Sequence, residues 1–285
     1  MTRQAPNIVA DQNAATDSRM SRMNAPVTLL GAPWDGSSSF ARGAAGGPAA
    51  IRAALASEAG NPWTETGRNL RQILGDSGDV RLPEDSPRSA IENAVAEIIR
   101  CGQKPIILGG DHSITYPAVR AVAAACETLT LVHVDAHPDI HDAFEGDPYS
   151  HASPFARIME EFGHIRLVQV GVREATPHQR EQAERFGAEW LEMKDHARWK
   201  RIETSGPVYV SCDLDGLDPA FAPGVSHPSP GGMSTRQLLD MLHGLAADAE
   251  IVGADVVELN PTRDFLGLTA QTAAKITAEL AGLMA

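Results

Sequence analysis

Three short apolar runs in this chain each stop at a cluster of histidine and aspartate, and that pattern leaves few folds open. Lys104-Pro105-Ile106-Ile107-Leu108 leads into Gly109-Gly110-Asp111-His112-Ser113. Val132-His133-Val134 leads into Asp135-Ala136-His137-Pro138-Asp139, and Pro207-Val208-Tyr209-Val210 leads into Ser211-Cys212-Asp213-Leu214-Asp215-Gly216-Leu217-Asp218-Pro219. Short apolar runs bounded by turn residues read as buried strands. In an open parallel sheet, ligands bind outside the carboxyl ends of the strands. Three strands that each deliver His or Asp to that edge build one shared site.

From Val27 onward, strand and helix signals alternate. Strands are expected at 27–31, weakly at 72–74, and at 105–108, 129–135, 166–171, 207–213 and 250–257. Between and after them come helices at 48–59, 86–101, 114–126, 154–162, 177–186, 234–247 and 268–283, with Ser86 and Thr176 as N-caps. This order predicts an α/β fold in which one mostly parallel sheet lies between two helical layers. Residues 27–285 read as a single domain and residues 1–26, polar and aperiodic, as a flexible arm without the apolar core of a secretory signal.

Net charge is 24 minus 37, or −13, which argues against a nucleic-acid partner and does not oppose a cationic substrate. No apolar run approaches membrane-span length. Cys101, Cys126 and Cys212 show no paired spacing and read as reduced thiols of a cytoplasmic protein.

Period-two spacing sends Asp135, His137 and Asp139 to one side of an extended backbone. With His112, Asp213 and Asp215 they make two imidazoles and four carboxylates, more than one ion needs and enough for two. Carboxylate-rich donors suit Mn²⁺ or a similar ion better than structural zinc. Asp218, followed by Pro219, reads as a turn cap. His133 shares the parity of Asp135 but lies deeper, and reads as a hydrogen-bonded core residue.

On these motifs the chain resembles the ureohydrolase family of arginases and agmatinases, and is similar to plant-type arginases over residues 27–285. Further matching stretches are Ser150-His151-Ala152-Ser153, the continuation from Asp218 through His227 to Gly232, and Asp255-Val256-Val257-Glu258-Leu259-Asn260-Pro261. The resemblance implies a binuclear Mn²⁺ enzyme that hydrolyses a guanidinium group to urea and an amine. It makes Asp135 and Asp213 bridging ligands, with His112 completing one ion and His137 the other. It also gives Glu258 the guanidinium, which a carboxylate holds through two charge-assisted bonds, and gives His151 the proton for the leaving amine. A homo-oligomer, trimer or hexamer, is expected from the same resemblance.

The substrate tail is expected along the loop from Asp139 to His151 and against the turn from Gly171 to Pro177. The first loop holds Asp142, Glu145 and Asp147 and no Lys or Arg, which favours a cationic tail. Candidate contacts are Ser150, His141, Asp147, Thr176 and His227. Animal-type arginases carry Asn and Ser groups in the first loop and an Asp where this chain has Thr176. Arginine and agmatine therefore stay near even, with charge leaning to agmatine. Hydrolysis of guanidinobutyrate or formiminoglutamate, or a metal-dependent deacetylase on a related fold, are the alternatives.

Overall fold

The computed structural model describes residues 25–58, 60–199, 201–204 and 206–285. Most of the expected N-terminal arm, residues 1–24, lies outside the described residues. The strands are β1 (Val27–Ala32), β2 (Leu74–Asp79), β3 (Lys104–Gly109), β4 (Leu129–Val134), β5 (Ile165–Val170), β6 (Glu189–Leu191), β7 (Val208–Asp213) and β8 (Ile251–Val257). They form one eight-stranded sheet in the order β2-β1-β3-β8-β7-β4-β5-β6, and every neighbouring pair is parallel.

A parallel sheet must be covered on both faces, and two apolar layers do so. Val132 and Val134 of β4, Ile106 and Leu108 of β3, and Val208 and Val210 of β7 pack with the helices Gly47–Leu55, Thr235–Ala246 and Leu268–Met284. Leu129, Leu131, Ile107 and Tyr209 point the other way, toward the helices Pro87–Arg100, Thr115–Ala123 and Pro154–Glu161. Strand alternation thus sorts the core between two helical layers.

The weak strand expected at 72–74 is a correction. Asn69 accepts a hydrogen bond from the Arg71 amide and starts a helical turn, Leu70–Ile73, so β2 begins only at Leu74. The edge strand β6 carries no apolar run and went unread. Ser86 makes no capping bond to its helix; its hydroxyl bonds Asp85, and Pro87 opens the first turn. Thr176 does cap, in a reciprocal box with Gln179.

Connectivity fixes the place of the site. The chain passes from β3 to β4 across a gap that β7 and β8 later fill. The four central strands β3, β8, β7 and β4 therefore deliver their carboxyl ends to one edge, where an open sheet binds its ligand.

Candidate metal and substrate site

Two glycines let the loops at this edge close together. A Cβ on Gly110 would run into the Trp34 carbonyl, and one on Gly216 would lie 3.0 Å from the Asp135 amide. Asp139 and Glu258 take the left-handed backbone conformation, with φ of 44° and 65°. Side chains with a Cβ seldom adopt that region, so the fold imposes it at these two acids.

His112 shows what the centre requires. Tyr209 and Ser211 both donate hydroxyl protons to the buried Asp255, at 2.8 and 2.7 Å. With its proton spent there, Ser211 accepts from His112 Nε2 at 2.9 Å. Nδ1 is then left without a hydrogen-bond partner. It faces Asp135 Oδ2 at 3.2 Å, Asp139 Oδ2 at 3.0 Å and Asp213 Oδ2 at 3.1 Å. A lone pair against three carboxylates in a dry interior needs positive charge between them. His112, Asp135, Asp139 and Asp213 are grouped closely enough to hold a metal ion.

A second group, Asp135, His137 and Asp215, lies beside the first. His137 Nδ1 is 3.4 Å from Asp135 Oδ1 and 3.2 Å from Asp215 Oδ2. Asp135 belongs to both groups, whereas Asp213 belongs to one. Burial, then repulsion from Asp135, pushes the Asp215 carboxyl up to about 7. Asp213 is raised as well, by burial and by Asp215 and Asp135. The protein alone does not stabilise this much negative charge, and divalent ions would. The donor set therefore fits metal.

His133 stands behind this centre. Trp190 Nε1 donates to Gln169 Oε1, which turns the Gln169 amide nitrogen toward the Pro138 carbonyl and His133 Nδ1. His133 therefore carries its proton on Nε2 and donates it to Asp135 Oδ2 at 2.8 Å. Both ring nitrogens are occupied, so it orients a ligand without being one. Asp218 accepts from the amides of Ala220, Gly231 and Gly232, and serves as a turn cap.

A cavity of about 370 Å³ opens onto both groups. On one wall, Glu258 Oε1 accepts from the His112 amide at 2.9 Å and from His151 Nδ1 at 3.2 Å. Burial opposes the charge on Glu258, but those two bonds hold it below the usual carboxylate range. Burial likewise opposes charge on His151; the Glu258 bond outweighs it and lifts the imidazole to about 9. His227 stacks obliquely 5.4 Å from His151 and lies 6.2 Å from His137.

Residues 25–282 match the model of the arginase family. The chain belongs to that family. It is 46% identical over 279 residues to mitochondrial arginase 1 of Arabidopsis thaliana, covering 90% of this chain and 80% of the relative. It is 32% identical over 263 residues to an agmatinase of Bacillus anthracis, covering 89% of this chain and 90% of that protein. The solved arginase of Medicago truncatula superposes with a TM-score of 0.86 at 41% identity, over 96% of this chain and 93% of that one. Membership of the arginase family makes the chain a hydrolase of guanidino carbon–nitrogen bonds and sets aside the deacetylase alternative.

Of the residues picked for the substrate tail, His141, Thr176 and His227 line the cavity. Thr176 reaches the rim, but its hydroxyl is engaged with Gln179. Asp147 and Ser150 do not belong to the wall. Asp147 is exposed and accepts from the Tyr149 amide, and the buried Ser150 hydroxyl accepts from the Ala152 amide. Asp142 is paired with His178 at 3.0 Å. Asp142 and Asp147 of the acidic loop are thus spent on His178 and on the loop itself.

Wall residues that the sequence does not single out include Ser39, Phe144, Glu174 and Gln179. Glu174 is half exposed and its Oε2 lies 3.7 Å from His137 Nε2. Negative charge reaches the mouth of the cavity through this residue. The run Ser37-Ser38-Ser39, close after a strand that ends at the same sheet edge, was the available signal for Ser39.

Proposed function

We propose that the protein is a binuclear manganese arginase, hydrolysing L-arginine to urea and an amine. The observation that carries this reading is Glu258, a buried and ionised carboxylate facing a cavity that opens onto two adjoining His/Asp groups. The 46% identity to an arginase, against 32% to an agmatinase, supports arginine as the substrate.

In this proposal His112, Asp135, Asp139, Asp213, His137 and Asp215 would hold two Mn²⁺, Asp135 being the residue common to both groups. When bound, the ions lower the pKa of water and supply a nucleophile near neutral pH. Glu258 binds the planar guanidinium through two charge-assisted hydrogen bonds and so aims its carbon at the ions. His151 holds a proton at Nδ1, beside Glu258, where the departing nitrogen needs one.

A second reading, agmatine, has one observation in its favour. The described walls of the cavity include no Lys or Arg to hold an α-carboxylate. Urea release from arginine, agmatine, 4-guanidinobutyrate and 3-guanidinopropionate, each with added Mn²⁺, tests both. The first reading expects the highest kcat/KM with arginine, and a preference for agmatine would replace it. No urea from any of them would end the proposal. We also propose a homo-oligomer: Phe265 and Leu266 are 70% and 82% exposed, and such apolar side chains on neighbouring positions suit an interface. Light scattering measures this directly.

A further inference from the structure

We infer that Ser39 is a positioning residue for His151: it fixes the ring and its tautomer so that Nδ1 is the atom that gives up a proton. This inference rests on the reading of His151 as the proton donor. Ser39 Oγ lies 2.9 Å from His151 Nε2, while Nδ1 on the other side of the ring lies 3.2 Å from Glu258 Oε1. The contact is built into the fold. The His151 amide donates to the Ser37 carbonyl at 3.2 Å. The Ser37 amide and the Ser38 hydroxyl both donate to Asp111 Oδ2, at 2.9 and 3.3 Å. Asp111 is fully buried next to His112, and its other oxygen accepts from the Ser113 amide at 3.1 Å. The serine loop is therefore tied to the metal-site loop on one side and to His151 on the other.

The chemistry needs such a device. An imidazolium carries protons on both nitrogens; here Nδ1–H would donate to Glu258 and Nε2–H to Ser39 Oγ. In the transfer, the Nδ1–H bond breaks, its electron pair stays on the ring, and the proton passes to the leaving nitrogen. The ring that remains is neutral and protonated at Nε2. Glu258 by itself favours the opposite tautomer, because its carboxylate attracts a proton to Nδ1. Ser39 Oγ, 2.9 Å from Nε2, is placed to accept there and so to favour the tautomer that remains after release.

Ser39→Ala and Ser39→Thr, made in the full chain loaded with Mn²⁺, test this. Ser39→Ala is expected to lower kcat about tenfold, a part of the rate that a positioned acid supplies, with KM for arginine within about twofold of wild type. Ser39→Thr, which restores the hydroxyl, should recover most of kcat. A second measurement is independent of turnover. In the chain loaded with diamagnetic Cd²⁺, at a pH where the ring is neutral, ¹⁵N NMR should find His151 protonated at Nε2 in wild type and at Nδ1 in Ser39→Ala. An unchanged kcat, an unchanged tautomer, or a loss that threonine does not repair would each overturn the inference. If wild type releases no urea from any guanidino compound, the functional reading fails, while the tautomer measurement still decides the role of Ser39.

Discussion

His112 Nδ1 lies 3.0 Å from Asp139 Oδ2; Nε2 of that ring is committed to Ser211, which leaves the Nδ1 lone pair facing the acids. Asp135 joins this group to the one around His137 and Asp215. Replacing the shared ligand should therefore cost more metal than replacing an unshared one. Asp135→Asn is expected to bind well under one Mn²⁺ per chain, and His137→Ala about one, against about two in wild type. Elemental analysis of dialysed protein measures this. Equal metal content in the two variants would contradict the shared position of Asp135.

The same cluster predicts how the fold responds to chelation. Removing the ions leaves Asp213 and Asp215 buried beside Asp135, with burial and mutual repulsion lifting both carboxyls. A ligand that binds only the folded state stabilises it by mass action. Thermal melting after exhaustive chelation should show a lower midpoint, restored on adding Mn²⁺. An unmoved midpoint would mean that metal binding and folding are not linked.

His151 and Glu258 give a pH prediction. Burial lowers the imidazole, but the Glu258 bond wins and holds its charge up to about 9. Because the folded value lies above the ordinary one near 6.5, the stability contributed by the raised His151 titration is fully present below about 6.5 while Glu258 stays ionised. It is lost as pH rises through about 9. An NMR titration of the metal-free chain should put the His151 midpoint near 9, and Glu258→Gln should bring it down toward or below the ordinary value. A midpoint that ignores Glu258→Gln would remove Glu258 as the cause.

The residues of the candidate metal groups were legible as a cluster because they lie at or just beyond strand ends. β4 nevertheless stops at Val134, and His137 and Asp139 fall in different groups instead of on one side of an extended strand. Asp135, His137 and Asp139 follow β4 directly, and His112 and Asp213 stand at the ends of their own strands. The parallel, doubly covered sheet was readable from alternation. Ser39 and Glu174 were not, since each comes from a loop whose path depends on contacts remote in sequence: Ser37 with Asp111, and Glu174 with the Ala136 carbonyl. Asp147 failed in the opposite direction. Its charge suggested a substrate contact, but a turn amide in its own loop was nearer.

Glu174 carries the prediction about the substrate tail. It is the acid of the cavity wall that neither belongs to a metal group nor contacts His151. An ammonium on the substrate tail would find its counter-charge there. Glu174→Gln should raise KM for arginine about 1.5- to fivefold, the range of a solvent-exposed charge contact, with kcat little changed. For 4-guanidinobutyrate, whose tail is a carboxylate, KM should stay level or fall. Parallel increases for both substrates would show that Glu174 acts on His137 instead.

Arg173, the preceding residue, gives the clearest test of how the site is held. Its guanidinium donates to the carbonyls of Gly171 and Gly216 through Nη1 and to those of Asp215, Leu217 and Ser229 through Nη2. Its amide and that of Glu174 both donate to the Ala136 carbonyl, between Asp135 and His137. The side chain thus ties the turn after β5 to the loop after β7, and the backbone amides tie the same turn to the loop after β4. Lysine keeps the charge but not the planar fork, and cannot reach carbonyls on several sides. Arg173→Lys is expected to destabilise the chain by about 2 kcal/mol, the cost of leaving some of these half-buried carbonyls unpaired. Chemical denaturation of metal-free protein reads that loss. Because the freed carbonyls include that of Asp215 itself, Mn²⁺ affinity should fall as well. A variant with full stability and unchanged affinity would mean that the backbone bonds to Ala136 alone hold the loops in place.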